Sequence, residues 1–258
     1  MKKIKNNERG QLTIFVLVAI VIVVAIIGYF LLNSEGESEI NSEIKLVYDV
    51  VKNCVKDISS EALIVIGESG GYYDLPEKVN SIGIAYYFYE DEVIMPGIDV
   101  IEFETGKYVD DFLFFCVEEG YLGLTDYEIS SREIMTSVNV FEDTVEFSVD
   151  YSFSVVKDNK TYLIDEPFVE VYSSRLFEIH SFISKIMQWQ KEEPRAFCVN
   201  CISDEANRLG LFIDLWDSSE DDVLFFVTDE ENVVNGKSYK FFFVNKYIGG
   251  NYDPFEDL

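Results

Sequence analysis

The sequence predicts an α+β protein, with one N-terminal transmembrane helix followed by an antiparallel-sheet domain that contains three main helices. Three observations predict this class. Residues 12–32 form an uncharged apolar run of 21 residues. Several later segments repeat apolar residues every three or four positions, which is typical of amphipathic helices, and others alternate apolar with polar residues, as half-buried strands do. The 258-residue chain, 48 % hydrophobic, is long enough to bury a sizeable core.

The apolar run 12–32 is long enough to span the roughly 30 Å hydrocarbon core of a bilayer at about 1.5 Å per residue. A secretory signal peptide is the alternative, but its apolar region is usually about 7 to 15 residues long. Four basic residues precede the run, and no Lys or Arg follows until Lys45. The positive-inside rule therefore predicts a cytoplasmic N-terminus and an exported C-terminal domain at the cell membrane. The expected organisation is a basic N-terminus (1–10), a transmembrane helix (11–32), a flexible linker (33–43) and an extracytoplasmic acidic α+β domain (44–258).

The charge is divided unevenly along the chain. Residues 1–10 carry +3 whereas the whole chain carries −28, so the remainder carries −31. Such a domain repels nucleic acid and anionic lipid surfaces. We therefore expect no nucleic-acid partner; the expected partners are the lipid bilayer, through residues 12–32, and envelope proteins or further copies of the chain. The alternative is that the acidity only keeps an exported domain soluble.

The first half of the domain contains two predicted helices and an aromatic strand region. Apolar residues recur at helical spacing from Ile40 up to Gly67, and Gly70-Gly71 follow as a stop signal. Residues 82–95 predict one or two short strands before a Pro96-Gly97 turn. A second helix is predicted at about 106–119.

The second half is predicted to be mainly strands. Residues 137–156 alternate apolar with polar residues and predict a strand, which "KDNK" connects to a partner at 162–164. A third helix is predicted at roughly 173–191, ending before Pro194, and a short helix near 203–209. The last strands are expected in "LFIDLW", "VLFFVTD" and "KSYKFFFVNKY", with a turn at 234–236 between the final two.

Arg9-Gly10-Gln11, followed at once by the apolar run, resembles the class III, type IV pilin-like signal of archaeal surface proteins. The resemblance implies cleavage after Gly10, with Gln11 as the new N-terminus and the apolar helix as a membrane anchor or filament core. Two features depart from the pilin pattern: Phe15 stands where pilin subunits typically carry an acidic residue, and the linker interrupts the helix. They favour an anchor over a filament subunit. The layout also looks like that of uncharacterised single-span proteins of small-genome archaea, a resemblance that implies no known activity.

Gly67-Glu68-Ser69-Gly70-Gly71 fits the G-x-S-x-G pattern of a hydrolase nucleophile elbow. That elbow needs a strand before the serine and a helix after it, whereas here helical periodicity precedes Ser69. The chain has a single histidine, His180, as a candidate base, and it falls within the third predicted helix. We predict a helix C-cap at this motif, no catalytic residue and no enzyme activity. An exported serine hydrolase that uses Ser69 is the alternative.

Four cysteines in an exported domain predict disulfides, for which three complete pairings exist. The favoured pairs are Cys54 with Cys116, each on the apolar face of a predicted helix, and Cys198 with Cys201. The alternative for "CVNC" is a redox site, which requires a position at a helix N-terminus that lowers a thiol pKa.

Ion and partner sites are the remaining candidates. No zinc ligand set is available locally, so no metal or cofactor is predicted. The acidic stretches 216–223 and 228–232 lack the spacing of an EF-hand loop but supply clustered oxygen ligands, so calcium binding is the alternative to solvated acidic loops. Asn159 lies in an N-x-T glycosylation acceptor in a predicted turn. The aromatic segment 85–92 is expected in the core, with a partner-binding face as the alternative. These features together predict a single-pass membrane-anchored protein with a structural or recognition role at the cell envelope.

Overall fold

The computed structural model of the chain describes residues 22, 42–195, 198–217 and 221–247. The chain divides into two units, Met1–Ser42 and Glu43–Leu258, and nearly all of the described residues belong to the second. The expected cleavage site Gly10-Gln11 lies outside the described residues, as does the expected membrane span except for residue 22. Among the helices of the described ranges, none combines the length and the apolar character needed to cross a bilayer.

The second unit has an α+β fold, as the sequence predicts. Its described residues form four helices: α1 (Lys45–Glu68), α2 (Ile98–Tyr121), α3 (Leu176–Glu192) and α4 (Val199–Leu209). The strands are β1 (Tyr86–Tyr89), β2 (Glu92–Val93), β3 (Glu128–Ser131), β4 (Met135–Val140), β5 (Thr144–Asp150), β6 (Phe153–Lys157), β7 (Lys160–Ile164), β8 (Phe168–Ser173), β9 (Phe212–Asp217), β10 (Asp222–Val234) and β11 (Lys237–Lys246).

The strands form three sheets in which antiparallel pairing dominates. The largest sheet has the order β2-β1-β11-β10-β9, and the two smaller sheets have the orders β3-β6-β7 and β4-β5-β8. One pair departs from the expected antiparallel class, because β1 lies parallel to β11. Parallel neighbours require a long connection, and here almost the whole domain separates the two strands in sequence. Local periodicity therefore contains no signal for this pair.

The core lies between α1 and one face of the five-stranded sheet. Phe225 and Phe243 stack there with ring centroids 4.5 Å apart, and Tyr87 stacks on Phe243 at 5.1 Å. The close approach of α1 to β11 depends on Gly67, because a Cβ atom at this position would lie 2.3 Å from the carbonyl oxygen of Lys240. A residue with a side chain would therefore force the helix away from the sheet.

α1 and α2 pack as an antiparallel pair of helices. Val50, near the start of α1, lies against Gly120 near the end of α2, where a Cβ atom would be 2.4 Å from the valine Cγ1. One turn further along α1, Cys54 forms a disulfide with Cys116, and their Cα atoms are 5.7 Å apart. This pair of helices forms the scaffold on which the surface of α2 is displayed.

Several predicted boundaries are wrong, each for a physical reason. The alternating segment 137–156 is not one strand, since it contains β4, β5 and β6, which belong to two sheets. Its odd-numbered residues from Val145 to Val155 are all buried, so the alternation continues in phase through the break at Tyr151 and Ser152. α2 begins at Ile98 rather than 106, directly after the N-cap Gly97. β3 and β8 were not predicted from the sequence.

Candidate recognition surface

Ser69 is the C-cap of α1, in the position that the helical periodicity predicts. The N–H of Gly71 bonds to the carbonyl of Ile66 at 2.7 Å and the N–H of Gly70 to that of Gly67 at 3.3 Å, which is the Schellman pattern. Gly70 has φ +76°, a left-handed conformation that costs glycine little. A helix therefore leads into the motif, and the order of a nucleophile elbow is reversed.

The two groups of the alternative hydrolase site are each held by main-chain carbonyls. The Ser69 hydroxyl donates to the carbonyl of Val65 at 2.9 Å and also lies close to the carbonyl of Tyr72. His180 Nε2 lies 3.0 Å from the carbonyl oxygen of Pro96 and joins α3 to the turn before α2. These contacts assign both residues roles in supporting turns; the absence of enzyme activity stays a prediction.

The described residues of the acidic stretches were candidates for a metal site. No group of three or more His, Cys, Asp or Glu side chains that could hold a metal ion occurs in the part of the chain that the structure describes. Asp229 is fully buried, where its Oδ1 lies 3.2 Å from Arg175 Nη1 and accepts the N–H of Glu231 at 3.1 Å. Asp222 accepts the hydroxyl of Tyr86 at 2.8 Å. Residues 218–220 of the other stretch lie outside the described residues.

Residues 85–88 of the aromatic segment belong to the core, as expected, whereas Tyr89 is half-buried and residues 90–92 are exposed. Burial excludes Tyr87 from the alternative partner-binding face. Tyr87 and Phe88 are completely buried in β1. The Tyr87 hydroxyl donates to the Gly70 carbonyl at 3.1 Å, which connects β1 to the turn after α1. Tyr89 is half-buried at the end of the strand, with Lys78 Nζ 4.3 Å from its ring centre.

The cysteines are joined as Cys54–Cys116 and Cys198–Cys201, the two pairs that the sequence favours. The glycosylation candidate Asn159 lies at the tip of the β6–β7 hairpin and is exposed. Asp158 and Asn159 both have positive φ, 50° and 60°, as a two-residue type I′ turn requires. The acceptor is therefore accessible, and its modification stays a prediction.

An accessible aromatic surface on α2 was not predicted from the sequence. Phe112, Phe114 and Phe115 are 38 %, 48 % and 66 % exposed, and with the half-buried Tyr73 they form what we call the α2 aromatic cluster. The cluster lines a concavity of about 400 Å³ together with Asp110 and Asp111. The sequence contains a signal for it, because "DFLFF" places four large apolar residues in five helical positions, and one side of a helix cannot bury all of them.

Ring packing and a hydrogen bond hold Tyr73 and Phe112 of this cluster in place. Tyr73 lies edge-on to Phe112 at 6.0 Å, and Phe112 stacks on the buried ring of Tyr108 at 4.4 Å. The Tyr73 hydroxyl donates to Asp111 Oδ2 at 2.9 Å, and this bond is the main reason that its pKa is raised. Tyr73 and Phe112 are therefore ordered before a partner binds, which lowers the entropy cost of binding at this part of the concavity.

The edge of the concavity is acidic. Burial raises the pKa of Asp110 to about 6, while hydrogen bonding with Thr136 opposes this shift. Lys107 is the basic side chain on this part of α2, and it forms an ion pair with Asp74. A partner with apolar and basic groups would match both the aromatic rings and the surrounding carboxylates.

Comparisons with known proteins give no relative from which a role of this surface could be inferred. No protein-family model matches this chain, and no curated protein or solved structure is significantly similar to it.

Proposed function

We propose that this chain is a single-pass membrane protein with its acidic α+β domain outside the cytoplasm, and that the domain has a recognition role at the cell envelope. The apolar run 12–32 serves as the anchor, and the basic residues before it keep the N-terminus in the cytoplasm. Two disulfides in the domain agree with an oxidising compartment. The domain catalyses no turnover in this proposal.

The observation that carries the recognition role is the α2 aromatic cluster. Three phenylalanines, Phe112, Phe114 and Phe115, remain exposed on a helix whose other side is buried. Exposed aromatic side chains grouped around a concavity are typical of protein-interaction sites, because covering them removes apolar surface from water. A single exposed apolar residue would need no such explanation.

The partner expected here is a protein surface that presents apolar groups together with basic ones. The net charge of −31 beyond residue 10 attracts a basic partner and repels an acidic one. Asp110 and Asp111 lie beside the rings, and their carboxylates attract basic groups of a partner at close range. The negative charge of the domain opposes association between two identical domains, so a different envelope protein fits better than a second copy.

Site-directed photocross-linking in intact cells tests this proposal. A benzophenone amino acid replaces Phe115 in the full-length chain, and Phe212, which is 55 % exposed on β9, is the matched control position. We expect a discrete adduct from position 115 that weakens when Phe114→Ser is added and when the salt concentration is raised. Equal adducts from both positions, or none from 115, would contradict the recognition role. An adduct of twice the chain mass would identify a second copy of the chain as the partner and would exclude a different, basic envelope protein.

A filament subunit processed after Gly10 is the second candidate, and the Arg9-Gly10-Gln11 signal favours it. Mass spectrometry of the membrane-purified protein distinguishes the two candidates. A chain that begins at Gln11 and occurs in isolated filaments supports the subunit. A chain that begins at Met1 supports the unprocessed anchor, and one that begins at Gln11 but stays monomeric in the membrane supports a processed anchor.

A further inference from the structure

The Cys198–Cys201 pair occupies the start of α4. Cys198 is the N-cap residue and Cys201 lies in the first turn, with 5.2 Å between their Cα atoms. The backbone N–H of Cys201 donates to Cys198 Sγ at 3.1 Å. Both residues are exposed, so a thiol from solution can reach the bond. This is an accessible disulfide at the positive end of an 11-residue helix.

The second disulfide, Cys54–Cys116, is less accessible and closes a much longer loop. Cys54 is only 6 % exposed and Cys116 is half-buried, and Cys54–Cys116 joins two 24-residue helices across a sequence separation of 62. A separation of 3, as in Cys198–Cys201, restricts the unfolded chain far less. The Cys54–Cys116 bond therefore has a stabilising role, whereas Cys198–Cys201 adds little to stability.

α4 is held in place without the exposed disulfide. Ile202 and Ala206 are buried, and Glu205 forms an ion pair with Lys185 of α3 at 3.0 Å. The helix ends at Gly210 in the left-handed conformation, with the N–H of Leu211 bonded to the Ala206 carbonyl at 2.9 Å. Opening the disulfide thus leaves both the contacts and the C-terminal cap of α4 intact.

We propose that Cys198–Cys201 is a thiol–disulfide exchange site for cysteine thiols of other exported proteins. A helix N-terminus and a backbone N–H directed at the sulfur both favour a thiolate, so Cys198 is the better leaving group of the pair once a partner is bound to it. The chemical class of the co-reactant is a protein dithiol, whose two thiols supply the electrons.

The exchange balances in two steps. A partner thiolate attacks Cys198 Sγ, which forms a mixed disulfide, breaks the Cys198–Cys201 bond and releases Cys201 as a thiolate that takes up a proton. The second partner thiolate then attacks the partner sulfur of the mixed disulfide and expels the Cys198 thiolate. The partner loses two electrons and gains a disulfide, while Cys198 and Cys201 are reduced to two thiols. Each chain performs this exchange once, in keeping with a protein that has no turnover of its own.

Redox titration of the full-length protein in detergent tests the site. The protein is equilibrated with defined ratios of reduced to oxidised dithiothreitol, alkylated, and analysed by peptide mass spectrometry, with Cys54–Cys116 as the internal control. We expect Cys198–Cys201 to be half reduced at a ratio at least tenfold lower than the control pair. Reduction of both pairs at the same ratio, or of Cys54–Cys116 first, would overturn the proposal.

Trapping with oxidised glutathione assigns the roles of the two sulfurs. Both single variants leave one thiol at the site, so they are matched in composition. We expect the Cys201→Ser protein to form a mixed disulfide at Cys198 at least tenfold faster than the Cys198→Ser protein forms one at Cys201. Equal rates would show that the helix start does not activate Cys198 and would overturn the assignment. An unchanged circular dichroism spectrum of both variants excludes unfolding as the cause of either result.

Discussion

Asp110 is the single residue whose ionisation is most clearly affected by its position in the candidate recognition surface. Burial raises its pKa from 3.8 to about 6, so its charged form is disfavoured in the folded protein. Between pH 3.8 and about pH 6, the Asp110 carboxyl is therefore protonated in the folded state and ionised in the unfolded state. Stability is lost as the pH rises through this interval, and the loss is complete above about pH 6.

We therefore expect Asp110→Asn to stabilise the domain at pH 7.5 by about 1 kcal/mol, a value reduced from the full shift because the group is about half exposed. At pH 4 the gain should nearly vanish, since the carboxyl is then protonated in the folded state. Urea unfolding at the two pH values measures the difference. An equal gain at both would show that the carboxylate carries no such penalty.

At the scale of secondary-structure elements, the contact between α1 and β11 depends on the missing side chain of Gly67. Gly67→Ala places a Cβ atom 2.3 Å from the Lys240 carbonyl oxygen, so the helix must shift. The expected loss is about 1 to 3 kcal/mol of unfolding free energy, measured by urea denaturation. Gly123→Ala is the control, because no atom lies within 4 Å of a Cβ atom there. Similar losses for both variants would contradict the close packing.

The α1–α2 pair should depend strongly on its disulfide. Closing a loop of 62 residues stabilises the fold by about 4 kcal/mol in the chain-entropy description. We expect the Cys54→Ser/Cys116→Ser double variant to lose about this amount in chemical denaturation. The Cys198→Ser/Cys201→Ser variant, with a separation of only 3, should lose about 2 kcal/mol or less. A reversed order of the two losses would contradict the structural role of Cys54–Cys116.

Elements with a strong local signal could be predicted from the sequence, and those without one could not. The three-and-four spacing of α1 and α3, the hairpin turn at Asn235-Gly236 and the glycine cap after Ser69 all act within a few neighbouring residues. The start of α2 was missed because its first two turns carry mixed apolar and acidic residues. The division of 137–156 into strands of two sheets was missed because its alternation stays in phase.

At the scale of the whole molecule, the missing information is long-range. The β1–β11 pair joins residues about 160 positions apart, and no local pattern specifies such a partner. The candidate surface shows the same limit, because Tyr73 comes from the turn after α1 and the phenylalanines from α2. The sequence offered segment 85–92 as an alternative partner-binding face because of its aromatic content, but residues 85–88 are buried, as expected for the core, and the accessible rings lie on α2.

The proposed export concerns the whole domain, and it rests on the apolar run 12–32 and the basic residues before it. A cell-impermeant maleimide tests this topology directly. Asn159→Cys places a thiol at the exposed β6–β7 turn, whereas Asn6→Cys places one before the apolar run. In intact cells that express the full chain, we expect labelling at position 159 and none at position 6 until the cells are lysed. Protection of position 159 in intact cells, with full labelling only after lysis, would contradict an exported domain.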